Sequence, residues 1–181
     1  MAAIWTQPIS VEALTQVSAN SAVDRLGIEF LEVGDDFIRA RVPVDSRTCQ
    51  PRGLLHGGVS VVLAETLGSL GAAFSCAPGH KVVGLDINAN HLRGVSSGWV
   101  TGTARAVHVG RTTQVWQIDI QDEQGRPVCA SRITMAVLAP QARQLEAWHR
   151  VLQLNPHEQE ALVVAEADVV LGPPFLDELP L

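Results

Sequence analysis

A histidine, a glycine pair and a carboxylate surround one apolar segment of the sequence. His56 is followed by Gly57 and Gly58, then by the apolar run 59–64, and then by Glu65. If this run is helical, its first N–H groups are unpaired and carry the positive end of the helix dipole, so that of Gly57 can bind a carbonyl oxygen that gains negative charge. A desolvated carboxylate such as Glu65 can act as nucleophile or as general base on water. These residue types predict a site that polarises a carbonyl group and attacks it.

Two further polar residues can assist this chemistry. Gln50, in the loop before His56, is a neutral donor that can help to hold the carbonyl group. Ser69 lies four residues after Glu65, on the same helix face, and can orient Glu65 or a water molecule. Loop histidines, paired helix glutamates and buried serines are also common, so the pattern by itself leaves a structural interpretation open.

The spacing of these residues predicts a dimer. Nine residues separate His56 from Glu65, and nine residues of helix rise ~13 Å. One chain cannot easily bring both residues to the same carbonyl carbon. Two helices packed antiparallel about a two-fold axis can do so, with His56 and Gly57 of one chain facing Glu65 of the other. We therefore expect an obligate homodimer with sites shared between subunits, formed by pairing of an exposed sheet edge.

Length and composition indicate a single globular domain with a small addition. The chain has 181 residues, of which 46% are hydrophobic and 18% charged. No apolar stretch reaches the ~20 residues that cross a bilayer, and the first residues lack the pattern of a secretory signal. Three scattered cysteines, without a CxxC pair, favour free thiols in a reducing compartment. We expect a cytoplasmic protein that does not bind a membrane.

The charge is unevenly distributed and marks a boundary near Pro140. Residues 1–140 contain eleven Lys and Arg against twelve Asp and Glu (−1), whereas residues 141–181 contain two against seven (−5). There is no basic patch for nucleic-acid binding. We expect one domain at 1–140 and an acidic, helical C-terminal extension at 141–181.

The predicted elements suggest an α+β fold. A short helix is expected at 11–17 and a long one at about 57–75, with strands around 28–33, 37–42, 81–93, 98–109, 112–122 and 127–138. Most strands follow a single apolar helix and do not alternate with helices. This order favours an antiparallel sheet wrapped around one long central helix.

The segment from Val44 to Glu65 resembles the hotdog-fold acyl-CoA thioesterases, and the likeness continues through 81–93 and 114–118. It is similar to the glutamate-type branch that includes 1,4-dihydroxy-2-naphthoyl-CoA hydrolase, 4-hydroxybenzoyl-CoA thioesterase and the enterobactin proofreading thioesterase. The resemblance covers residues 4–140. It implies a hotdog sheet, homodimers that pair into homotetramers, and hydrolysis of an (aryl)acyl-CoA to free acid and coenzyme A. Coenzyme A is then part of the substrate, and neither a cofactor nor a metal is expected.

The resemblance also implies roles for residues at matching positions. Gln50, His56 and Gly57 hold and polarise the thioester carbonyl, Glu65 of the neighbouring subunit attacks it or activates water, and Ser69 assists. The positions that meet the nucleotide and phosphates of coenzyme A are His91, Arg93, Gly110, Arg111 and Thr112. Arginine suits phosphate through its charge and forked donors.

Three alternatives remain open from the sequence. The substrate can be a thioester of an acyl-carrier protein, with a proofreading role. The chain can be a hotdog hydratase that acts on an enoyl thioester. It can also be a non-catalytic regulator that binds acyl thioesters and uses the acidic extension to contact a partner. The remaining histidines are too scattered for metal-ligand spacing.

Overall fold

The structure is a computed structural model that describes residues 3–140. The predicted helical extension at 141–181 lies outside the described residues. The elements in chain order are α1 (Val11–Val17), α2 (Ala22–Arg25), β1 (Glu29–Val33), β2 (Phe37–Pro43), α3 (Gly57–Ser75), β3 (Lys81–His91), β4 (Trp99–Val109), β5 (Thr113–Asp122) and β6 (Pro127–Leu138).

The six strands form one sheet, in which every neighbouring pair is antiparallel. The strand order is β1-β2-β4-β5-β6-β3, so that β1 and β3 are the two edges. Helix α3 packs against β2 to β6. The predicted antiparallel sheet around one long helix is therefore confirmed.

Small residues let α3 approach the sheet closely. Its buried face includes Leu63, Leu67 and Phe74, all without exposed surface. A β-carbon at Gly68 would stand 2.3 Å from Cγ2 of Ile133, so only glycine allows this contact without a shift. By length and composition alone α3 also resembles a membrane span, and its packing against the sheet accounts for that composition.

A buried polar network anchors the C-terminal end of α3. The Gln114 side chain, with no exposed surface, accepts hydrogen bonds through Oε1 from Ser75 Oγ (3.0 Å) and Trp116 Nε1 (2.9 Å). The Trp116 ring stacks on Trp5, with ring centroids 6.2 Å apart. The network thus ties the helix end to β5 and to the N-terminal segment.

Strand β3 departs from the regular ladder in the middle and at its end. Its register with β6 shifts between Gly84 and Asp86, which leaves Leu85 as the extra residue of a β-bulge. The strand ends at His91, two residues before the predicted limit. After it, the N–H groups of Leu92 and Arg93 both donate to the carbonyl of Val128, so the regular pairing of β3 with β6 ends here. Helix α2 was not predicted.

Candidate active site

A cavity of about 350 Å³ lies beside the first turn of α3. Its polar wall is formed by Gln50, Gly57, Ser60, His91 and Arg93, and its apolar wall by Leu54, Leu55, Leu92 and Val128. The structure therefore brings together two residues predicted to hold a carbonyl group and two predicted to contact coenzyme A.

Gln50 is held by a tight turn in the preceding loop. Its backbone N–H donates to the carbonyl of Leu54 (2.8 Å), and the N–H of Gly53 donates back to the carbonyl of Gln50 (2.9 Å). Gly53 has φ +77°, a left-handed conformation that glycine adopts without strain. Within the same turn, the N–H of Arg52 donates to Oε1 of Gln50. Because the side-chain oxygen is occupied, the NH₂ group remains to donate to a ligand.

His56 is the N-cap residue of α3, directly before Gly57, and caps the first turn. Its Nδ1 accepts a hydrogen bond from the N–H of Gly58 at 2.9 Å. In the neutral imidazole, Nε2 must then carry the proton and is a donor. The ring is exposed and does not line the cavity.

Gly57 provides the space and the backbone donor at this helix start. A β-carbon there would stand 2.8 Å from Nε2 of His91, so the His91 ring lies against the glycine. No acceptor for the Gly57 N–H is found among residues 3–140. The group is thus available to a ligand in the cavity, as expected for the first turn of a helix.

Glu65 lies further along α3, against β3, and does not line the cavity. Partial burial raises the pKa of its carboxyl group. Its Oε1 lies 2.9 Å from the point where a β-carbon at Gly84 would stand. In the part of the chain that the structure describes, the carboxylate has neither a hydrogen bond nor an ion pair. It is a partly desolvated acid without a partner in that part of the chain.

Ser69 makes no hydrogen bond to Glu65 within residues 3–140. Its hydroxyl is directed towards Sδ of Met135, at 3.9 Å. Met135 lies on β6 and pairs with Gly84 of β3. Ser69 therefore lies beside the same part of the sheet as Glu65, without a hydrogen bond to it.

The five positions predicted to meet coenzyme A do not converge within one chain. His91 pairs with Cys129 near the start of β6, whereas the carbonyl of Thr112 accepts from the N–H of Val137 near its end. Eight strand residues span ~27 Å. Gly110–Thr112 thus lie at the end of the sheet opposite His91 and Arg93, because they form the turn between antiparallel β4 and β5. Contacts from all five positions of one subunit to one ligand would have to span this distance.

Arg93 forms no ion pair within residues 3–140. Five arginines pair with acidic side chains, namely Arg39, Arg41, Arg47, Arg105 and Arg126. Arg93 is exposed at the cavity and has no acidic partner among residues 3–140. It can therefore bind an anion from the ligand. The same residues contain no group of three His, Cys, Asp or Glu side chains that could hold a metal ion.

Two residues at the site were not identified from the sequence. Ser60 lines the cavity and is only 2% exposed. Its position three residues after Gly57, on the same helix face, was the available signal. Gly84, which lies against the Glu65 carboxylate, has no signal in the sequence, since the contact depends on how β3 packs on α3.

Comparison with known proteins identifies the family. A family model described as Thioesterase superfamily matches residues 52–129. The chain is 52% identical over 136 residues to 1,4-dihydroxy-2-naphthoyl-CoA hydrolase of Escherichia coli, covering 75% of this chain and 99% of the relative. It is 49% identical over 135 residues to the proofreading thioesterase EntH of Cronobacter turicensis, covering 75% and 98%.

Solved structures agree with this assignment. A thioesterase from Haemophilus influenzae is 53% identical, with a TM-score of 0.74, and the match covers 75% of this chain and 95% of that one. A thioesterase described with coenzyme A, from Streptococcus pneumoniae, is 26% identical, with a TM-score of 0.60 and coverage of 67% and 94%. The fold and these relatives together show that the chain belongs to the thioesterase superfamily, has the hotdog fold and is a thioester hydrolase.

Proposed function

We propose that the protein hydrolyses an acyl-CoA thioester, preferably one with an aryl acyl group, to the free acid and coenzyme A. The observation that carries the proposal is the Glu65 carboxylate, which is partly desolvated and has no partner in residues 3–140. The name of the E. coli relative specifies an aroyl-CoA substrate, and the S. pneumoniae thioesterase is described with coenzyme A. The reaction needs water and no added cofactor.

Two donors of the cavity wall, and a third on the residue directly before Gly57, can bind the thioester carbonyl. The Gly57 N–H, the Gln50 NH₂ group and the Nε2–H of His56 have no acceptor in the described chain. Donors aimed at an oxygen that gains negative charge lower the barrier to attack. Gly57 begins the helix, so the positive end of the dipole adds to this effect.

Glu65 then acts in one of two ways. As nucleophile, its oxygen bonds to the carbonyl carbon, the C–S bond breaks, and water hydrolyses the resulting anhydride. As general base, it takes a proton from water, whose oxygen bonds to the same carbon while the C–S bond breaks. In both cases the thiolate leaves and is protonated, so that thioester and water become acid and thiol. Ser69, beside Met135, can assist by binding water.

We propose that each site is shared between two subunits. Glu65 does not line the cavity of its own chain, and residues 110–112 lie far from His91 and Arg93. Strand β3 is a sheet edge, and antiparallel pairing with a second β3 would place opposite ends of the two sheets together. The partner subunit's Glu65 would then face the cavity. We expect such homodimers to pair into homotetramers.

Mixing two inactive variants tests the shared site. One subunit carries Glu65→Ala and the other Gln50→Ala with His56→Ala. If sites are shared, each mixed dimer has one intact site, and a random mixture recovers about a quarter of wild-type activity. A mixture as inactive as its components would contradict sharing, provided that mass measurement shows mixed dimers.

A hydrolysis screen tests the function itself. Aryl-, short-chain and long-chain acyl-CoAs are compared with release of free thiol as the readout, which also separates hydrolysis from hydration. We expect Glu65→Ala to lower kcat at least ~10³-fold, and Gln50→Ala or His56→Ala to lower it ~10- to 100-fold. Near-normal turnover by Glu65→Ala would contradict the proposal.

A carrier-protein thioester is the second candidate substrate. The relative from C. turicensis is named a proofreading thioesterase. The same acyl group, presented on coenzyme A and on an acyl-carrier protein, separates the candidates by kcat/KM.

Deletion of 141–181 tests whether the acidic extension adds a regulatory contact, which loss of partner binding with unchanged hydrolysis would indicate. We also propose a cytoplasmic location, since all three cysteines are free.

A further inference from the structure

Ser60 is a nearly buried residue whose hydroxyl reaches the cavity and has no hydrogen-bond partner among residues 3–140. The residue is 2% exposed and lines the cavity at the start of α3. None of residues 3–140 accepts from or donates to its hydroxyl. The hydroxyl is not among the fully enclosed, unpaired polar atoms of the described residues, so its small exposed surface opens into the cavity, where a ligand can bind it.

A second serine on the same helix shows what a structural hydroxyl looks like here. Ser75 is 4% exposed, and its Oγ donates to Oε1 of Gln114 at 3.0 Å. Both serines belong to α3, and both are almost fully buried. Only Ser60 faces a cavity and lacks a partner, which points to a ligand as its partner.

The position of Ser60 places it beside the predicted carbonyl site. It follows Gly57 by three residues, about one helical turn, and therefore lies on the same face. The bond from Cα to Cβ in a helix leans towards the N-terminus, so the Ser60 side chain leans towards Gly57. Gln50 lines the same cavity.

We propose that Ser60 contacts the substrate, and that its hydroxyl donates a hydrogen bond to the thioester carbonyl oxygen bound at Gly57. The proposal rests on the proposed function, since it assumes a thioester in this cavity. The Ser60 hydroxyl would donate to the same carbonyl oxygen as the Gly57 N–H. The bound substrate would thereby satisfy a hydroxyl that the free protein leaves unpaired.

Ser60→Ala and Ser75→Ala form a matched pair of variants. We expect Ser60→Ala to lower kcat/KM at least ~10-fold, as loss of a carbonyl donor does. Its melting temperature should stay at or above the wild-type value, because no hydrogen bond within the protein is lost. Ser75→Ala should show the opposite result, with a lower melting temperature and kcat/KM within about twofold of wild type.

Binding measurements make the test independent of turnover. The probe is a CoA thioether that bears a ketone, which keeps the carbonyl group and cannot be hydrolysed. Ser60→Ala should raise the Kd for this probe at least ~10-fold. Ser60→Cys is nearly isosteric and a weaker donor, so its Kd should lie between those of the wild type and Ser60→Ala. The proposal is overturned if Ser60→Ala binds this probe within twofold of wild type, or if its melting temperature falls as that of Ser75→Ala does. Glu65→Ala in the same series reports on the proposed function separately, since it should abolish turnover whatever Ser60 does.

Discussion

The carboxylate oxygen Oε1 of Glu65 lies 2.9 Å from the point where a β-carbon at Gly84 would stand, and the next Glu65 atom is 4.0 Å away. Apart from the chain neighbours Val83 and Leu85, no other residue among 3–140 comes within 4 Å of that point. Gly84 is also the last residue before the β-bulge of β3. The acid of α3 therefore rests against strand backbone that only a glycine exposes, and this contact sets where the carboxylate lies.

Gly84→Ala should lower turnover by displacing this carboxylate. The added methyl group leaves Oε1 at 2.9 Å, closer than carbon and oxygen normally approach, so the side chain must move. A displacement of about 1 Å at a reacting group can cost ~100-fold in rate. We expect kcat to fall ~10- to 100-fold with KM little changed, measured by thiol release.

Glu65→Asp provides the control for Gly84→Ala. Glu65→Asp draws the carboxylate back by one methylene, so in that background the methyl group at 84 should have little further effect. A double-mutant cycle then shows strong coupling between the two positions. If Gly84→Ala lowers kcat by the same factor in the Glu65→Asp background as in the wild type, the substitution disturbs β3 and does not act through the carboxylate.

The acid limb of the pH–rate profile should report the raised pKa of Glu65. Burial raises this pKa above its ordinary value of 4.5, and both proposed roles need the ionised form. We therefore expect kcat/KM to rise with pH through an apparent pKa above that of an exposed glutamate. A limb at or below 4.5 would contradict a desolvated catalytic carboxylate.

The raised pKa of Glu65 also predicts that stability falls with rising pH, whereas kcat/KM rises. Since the folded pKa exceeds the unfolded one, the folded state binds more protons, and stability falls as pH rises between the two values. Above the folded pKa, ionised Glu65 thus destabilises the protein. Glu65→Gln should melt at a higher temperature than wild type at pH 8, and the difference should shrink towards pH 4.

The central helix could be predicted from the sequence because its signals are local. His56 supplies a cap, the apolar run supplies the buried face, and Pro78 follows the end of the helix. The contact between Glu65 and Gly84 could not be predicted, since it depends on the β3 register and on a bulge that interrupts the strand pattern. The Ser69 hydroxyl is a similar case: spacing on α3 places it near Glu65, whereas packing of β6 directs it to Met135.

Arg93→Ala should weaken binding of acyl-CoA specifically. Arg93 lines the cavity and has no acidic partner in the described chain, so it is free to pair with a phosphate. We expect KM for an acyl-CoA to rise ~10-fold, with no change for the N-acetylcysteamine thioester of the same acid, which lacks phosphate. Arg105→Ala is the control, because Arg105 is exposed and pairs with Asp36. An equal change for both thioesters would argue against a phosphate contact.

Gln114→Leu should destabilise the fold without changing the chemistry. The substitution removes the acceptor of Ser75 Oγ and Trp116 Nε1: the buried indole N–H is left unpaired, and Ser75 Oγ keeps only the more distant carbonyl of Ala72, at 3.4 Å. We expect a loss of about 2–4 kcal/mol in the free energy of unfolding, measured by urea titration. Gln117→Leu, on the same strand but half-exposed, should change it by less than about 0.5 kcal/mol. The network lies at the opposite end of α3 from the cavity, so kcat/KM well below the melting temperature should stay within twofold of wild type. A Gln114→Leu protein as stable as Gln117→Leu would show that the network does not anchor the helix end.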